Sequence, residues 1–151
     1  MNDALQTYPT IQYTTHSISA VLPKQATASS AGYDLFSPVD AVIHPGEKIK
    51  VDTGLKIKTP EGFCAKIYSR SGLAFNHGIT VTSGVAIIDS DYRGPIYVAL
   101  TNCSTKPYNI LRGDRIAQML IERCFSVTWE HSTTSLAPTA RHPEGFGSTG
   151  R

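Results

Sequence analysis

The sequence predicts an all-β fold, a sandwich, barrel or jelly roll, with one short helix. Three observations carry this. Ser and Thr together number 30, beside 12 Gly and 9 Pro, and no long stretch is built from Ala, Leu, Glu and Lys, a composition that disfavours helices. Apolar and polar residues alternate over short runs, the period of a half-buried strand. Turn residues cut those runs at short intervals, as in sandwiches and barrels.

The elements follow in order along the chain. Ile11–Thr15 and Ile18–Leu22 are the first expected strands. Ala41–His44 is closed by Pro45-Gly46. Lys48–Lys58 places Ile49, Val51, Leu55 and Ile57 against Lys50, Asp52, Lys56 and Lys58, and Thr53-Gly54 breaks the run in two. Pro60-Glu61-Gly62 turns the chain into Phe63–Tyr68. Ser71–Asn76 is the short helical piece. Ile79–Val81 and Val85–Ile88 flank Ser83-Gly84, and Ile96–Thr101 follows Arg93-Gly94-Pro95. Arg115–Arg123 has apolar spacing that suits either a helix or a strand. The Gly113-Asp114 turn before it and the β context favour a strand buried on the Ala117, Met119 and Ile121 side.

A length of 151 residues suits one domain, which at this size buries roughly two-thirds of the surface its unfolded chain exposes. The division expected is a core over 1–129 and a C-terminal arm over 130–151. From Glu130 onward the only apolar side chains are Leu136, Ala137, Ala140 and Phe146, too few to hold a segment in place by burial. A net charge of +2 with 17% charged residues argues against nucleic-acid and membrane partners. Cys64, Cys103 and Cys124 are odd in number and widely spaced, so neither a disulfide framework nor a zinc site is expected; three buried thiols in a reducing compartment are. The opening MNDALQTYPTIQYTT has no basic stretch followed by an apolar core, and no long apolar run occurs. A soluble protein that is not secreted is expected, cytoplasmic, or nuclear in a eukaryotic host or virus.

Phosphate-binding loops of the G-x-x-x-x-G-K-[ST] and G-x-G-x-x-G types and the G-x-S-x-G elbow are absent. The five histidines show no metal-ligand spacing. Five segments stand out together: Ala31–Leu35 (AGYDL), Ser69–Ala74 (SRSGLA), Gly84–Gly94 (GVAIIDSDYRG), Gly113–Gln118 (GDRIAQ), and Arg141 followed by Gly145–Gly150 (GFGSTG). In this order and spacing they resemble the five motifs of the trimeric deoxyuridine triphosphatases (dUTPases), over most of the chain.

The resemblance implies a jelly-roll or distorted β-barrel subunit in a homotrimer with active sites at subunit interfaces, hydrolysing dUTP to dUMP and pyrophosphate with Mg2+. Asp89 matches the general base. A carboxylate near pKa 3.9 is a weak base at neutral pH, so positioning and charge neutralisation must supply much of the rate. Asp34 matches the carboxylate that holds magnesium through water, and Gln118 a polar contact near the phosphates. Arg70, Ser71 and Gly72 match phosphate contacts. Arg141, Gly147, Ser148 and Thr149 match the arm's grip on the terminal phosphate, where a bidentate guanidinium suits the task, and Phe146 matches the ring over the base. Ile79–Tyr92 matches a uracil-reading hairpin that includes Ser83, Gly84, Ala86, Ile87 and Ile88. Tyr92 matches the ring under the deoxyribose that leaves no room for a 2′-hydroxyl, and Tyr97 lines the same pocket.

This sequence departs from the family pattern at three places. Tyr68-Ser69 stand where Ala-Pro is usual, an exchange expected to loosen the turn. Ser83 stands where Asn is frequent, and His142 where Gly is frequent. Two alternatives share the fold. A dCTP deaminase carries a glutamate on the strand after the hairpin, where this chain has Ala99. A non-catalytic jelly-roll binding protein would have no need of Asp34, Asp89, Tyr92, Arg141 and Phe146 together.

Overall fold

A computed structural model describes residues 8–139. Alternation shapes its strands directly. In β5 (Leu55–Lys58), Leu55 and Ile57 are buried and Lys56 and Lys58 exposed. In β9 (Tyr97–Asn102), Val98, Leu100 and Asn102 point inward. The described residues also form β1 (Gln12–Thr15), β2 (Tyr33–Phe36), β3 (Ala41–Ile43), β4 (Lys48–Asp52), β6 (Phe63–Tyr68), α1 (Ser71–His77), β7 (Ile79–Val81), β8 (Val85–Ile88), β10 (Tyr108–Ile110) and β11 (Arg115–Arg123). The ordered sheets are β2-β11-β6-β8 and β4-β9-β7, with two-stranded ladders β1-β5 and β3-β10. Leu35, Ile43, Val51, Ile67, Leu100 and Ile116 lie in the single core cluster between them. No helix among the described residues is long and apolar enough to cross a membrane.

Buried polar groups hold the layers in register. The Asn102 amide donates to the carbonyls of Ile43 and Lys106, each at 2.8 Å. Thr53 donates to the Ile96 carbonyl through its backbone N–H at 3.0 Å and its hydroxyl at 2.8 Å. Ile96 N–H in turn donates to Leu55 O at 2.8 Å. The chain on either side of Ile96 is therefore fixed to the core.

Four expectations are corrected. Ile18–Leu22 is no strand: Ala20 N–H closes a turn on Ser17 O at 3.1 Å, and this turn packs against Gly54, where a Cβ would come within 2.8 Å of the Ala20 side chain. Tyr33–Phe36 and Tyr108–Ile110 are strands that the alternation did not announce. Ile79–Tyr92 is not one laddered hairpin, because β7 pairs with β9 and β8 pairs with β6 in different sheets. The turn at Ser83-Gly84, with Gly84 at φ 74°, carries the chain from one sheet to the other. Of the three thiols only Cys64 is buried; burial, helped by the neighbouring Cys124 thiol, pushes Cys64 up to about 11.

Candidate active site

The site begins with a defect in β11. Arg115 pairs with Phe36 and Ala117 with Leu35, so Ile116 is an extra residue in the ladder with β2. Strict alternation would aim Arg115 inward with Ala117 and Met119. The bulge turns it out instead, onto the face that carries Gln118. Asp34 lies directly across β2 from Gln118, so the bulge brings Arg115 to the Asp34 carboxylate.

That carboxylate accepts at both oxygens. Arg70 Nε donates to Oδ1 at 3.1 Å and Arg115 Nη1 to Oδ2 at 3.2 Å. Arg70 Nη1 also donates to the Arg115 carbonyl at 3.0 Å. Nε and Nη1 of the Arg70 guanidinium are thereby engaged, and Nη2 makes no hydrogen bond among the described residues. Gln118 Nε2 donates to Ser69 O at 3.0 Å. Gly32 makes room for that amide, since a Cβ there would sit 2.8 Å from Gln118 Oε1. Ser71 and Gly72 open α1 directly after Arg70, both exposed. No atom lies within 4 Å of a Cβ built at Gly72, so the chain's own packing does not demand that glycine. Asp34, Arg70, Ser71, Gly72 and Gln118 thus stand together.

Ser69 supplies a tie that proline, with no hydroxyl, could not make. Its hydroxyl accepts the Val81 N–H at 2.8 Å and ties the approach to α1 onto β7. Beside this turn, Glu122 takes the Lys66 ammonium at 2.6 Å and the Tyr68 hydroxyl at 3.0 Å. Those two bonds hold the Glu122 carboxyl below its ordinary value, and the same contact raises Lys66.

Asp89 and Tyr92 stand elsewhere. Tyr68 is opposite Val85 and Ala65 opposite Ile88, so β8 carries the chain away from Arg70 before Asp89 emerges. Strand rise and spacing put Asp34 and Asp89 about 20 Å apart within the chain. Asp89 is exposed on an open depression of ≈ 670 Å³ that also takes in Lys58, Glu61, Asp91 and Arg93. The Tyr92 N–H donates to Asp89 O at 3.1 Å and the Tyr92 hydroxyl to Pro95 O at 3.1 Å. Ser83 and Gly84 lie at the near end of β8, Ala86 and Ile88 are half-buried along it, and Ile87 is exposed. Tyr97 is half-buried in β9, with the Lys50 ammonium 4.3 Å from its ring centre. Arg141, Phe146, Gly147, Ser148 and Thr149 lie outside the described residues.

Sequence reasoning missed Arg115 as a partner of Asp34, although it sits inside the GDRIAQ segment. It also missed the Lys66–Glu122–Tyr68 cluster, in which Glu122 lies more than 50 positions from its two partners and shares no motif with them. Among the described residues no group of three His, Cys, Asp or Glu side chains is placed to hold a metal ion.

The dUTPase family model matches residues 19–150. The deoxyuridine 5'-triphosphate nucleotidohydrolase of Anaplasma marginale (strain St. Maries) is 50% identical over 131 residues, 85% of this chain and 88% of its own. That of avian adenovirus 8 is 46% identical over 135 residues, 89% and 81% of the two chains. Among solved structures, the Staphylococcus bacteriophage 80alpha dUTPase with dUPNHPP superposes with a TM-score of 0.86 at 25% identity, covering 94% of this chain and 99% of that one. A mutant dUTPase of S. aureus phage phi11, described with a structural Mg(II) ion, shares the fold with a TM-score of 0.76 at 23% identity, over 83% and 97% of the two chains. The bulge that turns Arg115 onto Asp34, the Arg70 turn and the Asp89 loop occupy segments that the family model spans from end to end: the chain belongs to the dUTPase family.

Proposed function

We propose that the chain hydrolyses dUTP to dUMP and pyrophosphate, in a homotrimer whose active centres are each built from more than one copy. Such an activity limits uracil in DNA and supplies dUMP for thymidylate synthesis. One observation carries the shared centre: in one chain Asp34 on β2 is three strand steps from β8, whose far end leads to Asp89, a separation of about 20 Å by strand spacing and rise, beyond what contacts to one triphosphate can span. A neighbouring copy is the economical source of the missing half. Two further features support it. After β11 the chain exposes Phe125, Val127 and Trp129 at alternate positions, the pattern of a strand without its cover. All four residues of β1 are exposed, and among the described residues β1 pairs only with β5.

In this reading Asp89 orients and deprotonates the water that breaks the bond between the first and second phosphates. Arg70, with Ser71 and Gly72, binds the phosphates from a second copy, its guanidinium held in advance by Asp34 and Arg115. Backbone groups around Ser83, Gly84, Ala86, Ile87 and Ile88 read uracil. Cytosine, with its donor and acceptor reversed, would leave those groups unpaired. Tyr92 floors the deoxyribose and Tyr97 lines the pocket. Arg141, Phe146, Gly147, Ser148 and Thr149 close over the nucleotide as a lid.

The donor set fits magnesium arriving on the triphosphate. The ion keeps most of its waters and prefers phosphate oxygens, so it needs no protein cage, only Asp34 to hold its water. When bound it supplies neutralisation of phosphate charge. Asp34 retains free lone pairs at both oxygens for that water beside its two guanidinium partners. The soluble nucleotide pool, cytoplasmic or nuclear, is the expected setting.

The test is pyrophosphate release measured side by side for dUTP, dTTP, dCTP and UTP, with the particle mass from light scattering. Release confined to dUTP, from a particle near three times 16.4 kDa, is the result expected. A fully active monomer, or equal use of dCTP, would overturn it.

A further inference from the structure

We propose that Gly94 is the positioning residue for the sugar-facing ring of Tyr92 and thereby sets how well the enzyme discriminates against a 2′-hydroxyl. This rests on the placement of Tyr92 under the deoxyribose proposed above, and deepens it.

Space at Gly94 is what matters. A Cβ built on Gly94 would fall onto the Tyr92 hydroxyl, 2.5 Å from Cζ and 3.0 Å from Cε2. Real Cβ atoms do not approach side chains so closely, so any other residue at 94 must displace the ring. Backbone freedom is not the reason for the glycine: Gly94 does not take a positive φ. The glycine is there because the tip of an aromatic ring is folded back over its Cα.

The ring is tethered at its tip, and the backbone that carries it is fixed. Its hydroxyl donates to the Pro95 carbonyl at 3.1 Å, and its backbone N–H donates to Asp89 O at 3.1 Å. Ile96, the next residue along, is buried and donates to Leu55 O, while its own carbonyl takes two bonds from Thr53. Arg93 folds back onto the same loop, Nη1 donating to Ser90 O at 2.7 Å and Tyr92 O at 2.8 Å. The loop from Asp89 to Pro95 is therefore closed by its own bonds and anchored at its downstream end. It fixes the height of the Tyr92 ring before any nucleotide arrives, the preorganisation that lets a small misfit discriminate. The 2′-hydroxyl differs from hydrogen by one heavy atom, so ring height must be held to a fraction of that size.

The experiment compares Gly94→Ala, Tyr92→Ala and the double variant in the full chain. It measures kcat and KM for dUTP and UTP, and calorimetric binding of dUMP and UMP as a readout separate from turnover. Gly94→Ala is expected to lower kcat/KM for dUTP by about ten-fold, the low end of what one misplaced methylene-sized group is worth in a pocket. The loss should fall mainly on KM and on dUMP binding, UTP should lose less, and the dUTP preference should shrink. In the Tyr92→Ala background the same Gly94→Ala change should add less than about two-fold, because the ring it strikes is gone. A Gly94→Ala variant with wild-type preference, beside a Tyr92→Ala variant with altered preference, overturns the proposal for Gly94 alone. Full additivity overturns it too, because Gly94 would then act through something other than Tyr92. An unchanged preference in Tyr92→Ala instead removes Tyr92 from the sugar site, and Gly94 with it.

Discussion

Replacing Arg115 with Gln removes one guanidinium from the Asp34 carboxylate but keeps the backbone carbonyl that holds Arg70. The bond removed is the one to Oδ2, at 3.2 Å. The Arg115 side chain is 48% exposed, against 13% for Asp34, so the pair has the modest worth of a surface ion pair, about 0.2–1 kcal/mol. Asp34 keeps its bond from Arg70 Nε, so no charge is left unpaired. At about 1.4 kcal/mol per factor of ten, that ceiling corresponds to roughly a five-fold loss of kcat/KM for dUTP, carried by KM. The same ceiling is worth about 2–4 °C of melting temperature. Arg70→Gln is the contrast. It removes both bonds that fix the guanidinium and the cation assigned to the phosphates, and should cost at least about a hundred-fold. Pyrophosphate release over a range of dUTP, with thermal melts of both variants, gives the comparison. If Arg115→Gln loses as much as Arg70→Gln with an unchanged melting temperature, Arg115 meets the substrate itself and the reasoning through Asp34 is wrong.

Four further outcomes are expected. Asp89→Asn should lower turnover by roughly two to four orders of magnitude while dUTP with magnesium still binds; near-normal turnover would remove Asp89 as the base. Deleting Arg141–Arg151 should leave a folded assembly that binds dUTP weakly and hydrolyses it poorly, and full-length rates from the truncated chain would make that segment a bystander. Ser69→Ala leaves the Val81 N–H without its acceptor, at a cost of roughly 1–3 kcal/mol, which a urea titration should register as a lower midpoint at unchanged slope; an unmoved midpoint contradicts it. Glu122 is held below its ordinary 4.5 by Lys66 and Tyr68, so its contribution is present above that pH and fades as pH falls through the lower folded value. The melting-temperature gap between wild type and Glu122→Gln should therefore narrow on acidification below 4.5, and a gap that widens as pH falls would contradict the assignment.

What could be read from the residues was local. The alternation in Lys48–Lys58 announced both β4 and β5, because Leu55 and Ile57 face one side and Lys56 and Lys58 the other. β2 carries Asp34 and β10 carries Asn109, residue types depleted in strands, and each buries a single residue fully, so neither reads as a strand. Ile18–Leu22 had strand-like composition, but the Ser17–Ala20 turn against Gly54 depends on a neighbour more than 30 positions away. Pairing partners were hidden for the same reason. Ile79–Val81 and Val85–Ile88 are adjacent in sequence, and adjacency suggested a hairpin, yet β9 and β6 compete for their edges and win. At the candidate site, the motifs singled out Asp34, Arg70 and Gln118, which the fold brings side by side. Arg115 escaped because an inserted residue reverses facing, and nothing in RIAQMLIER marks where the extra residue sits.

The distance between the Arg70 turn and the Asp89 loop has a genetic consequence. If each centre takes one of these from either side of a subunit boundary, two dead variants are not equivalent to one another when mixed. A trimer assembled from Arg70→Gln and Asp89→Asn chains would contain boundaries where an intact Arg70 faces an intact Asp89. With random mixing, about a quarter of the boundaries would be whole. Two alleles, each inactive alone, would then restore each other's enzyme in the same cell, and one singly substituted chain in an otherwise wild-type trimer would silence one boundary and leave two whole.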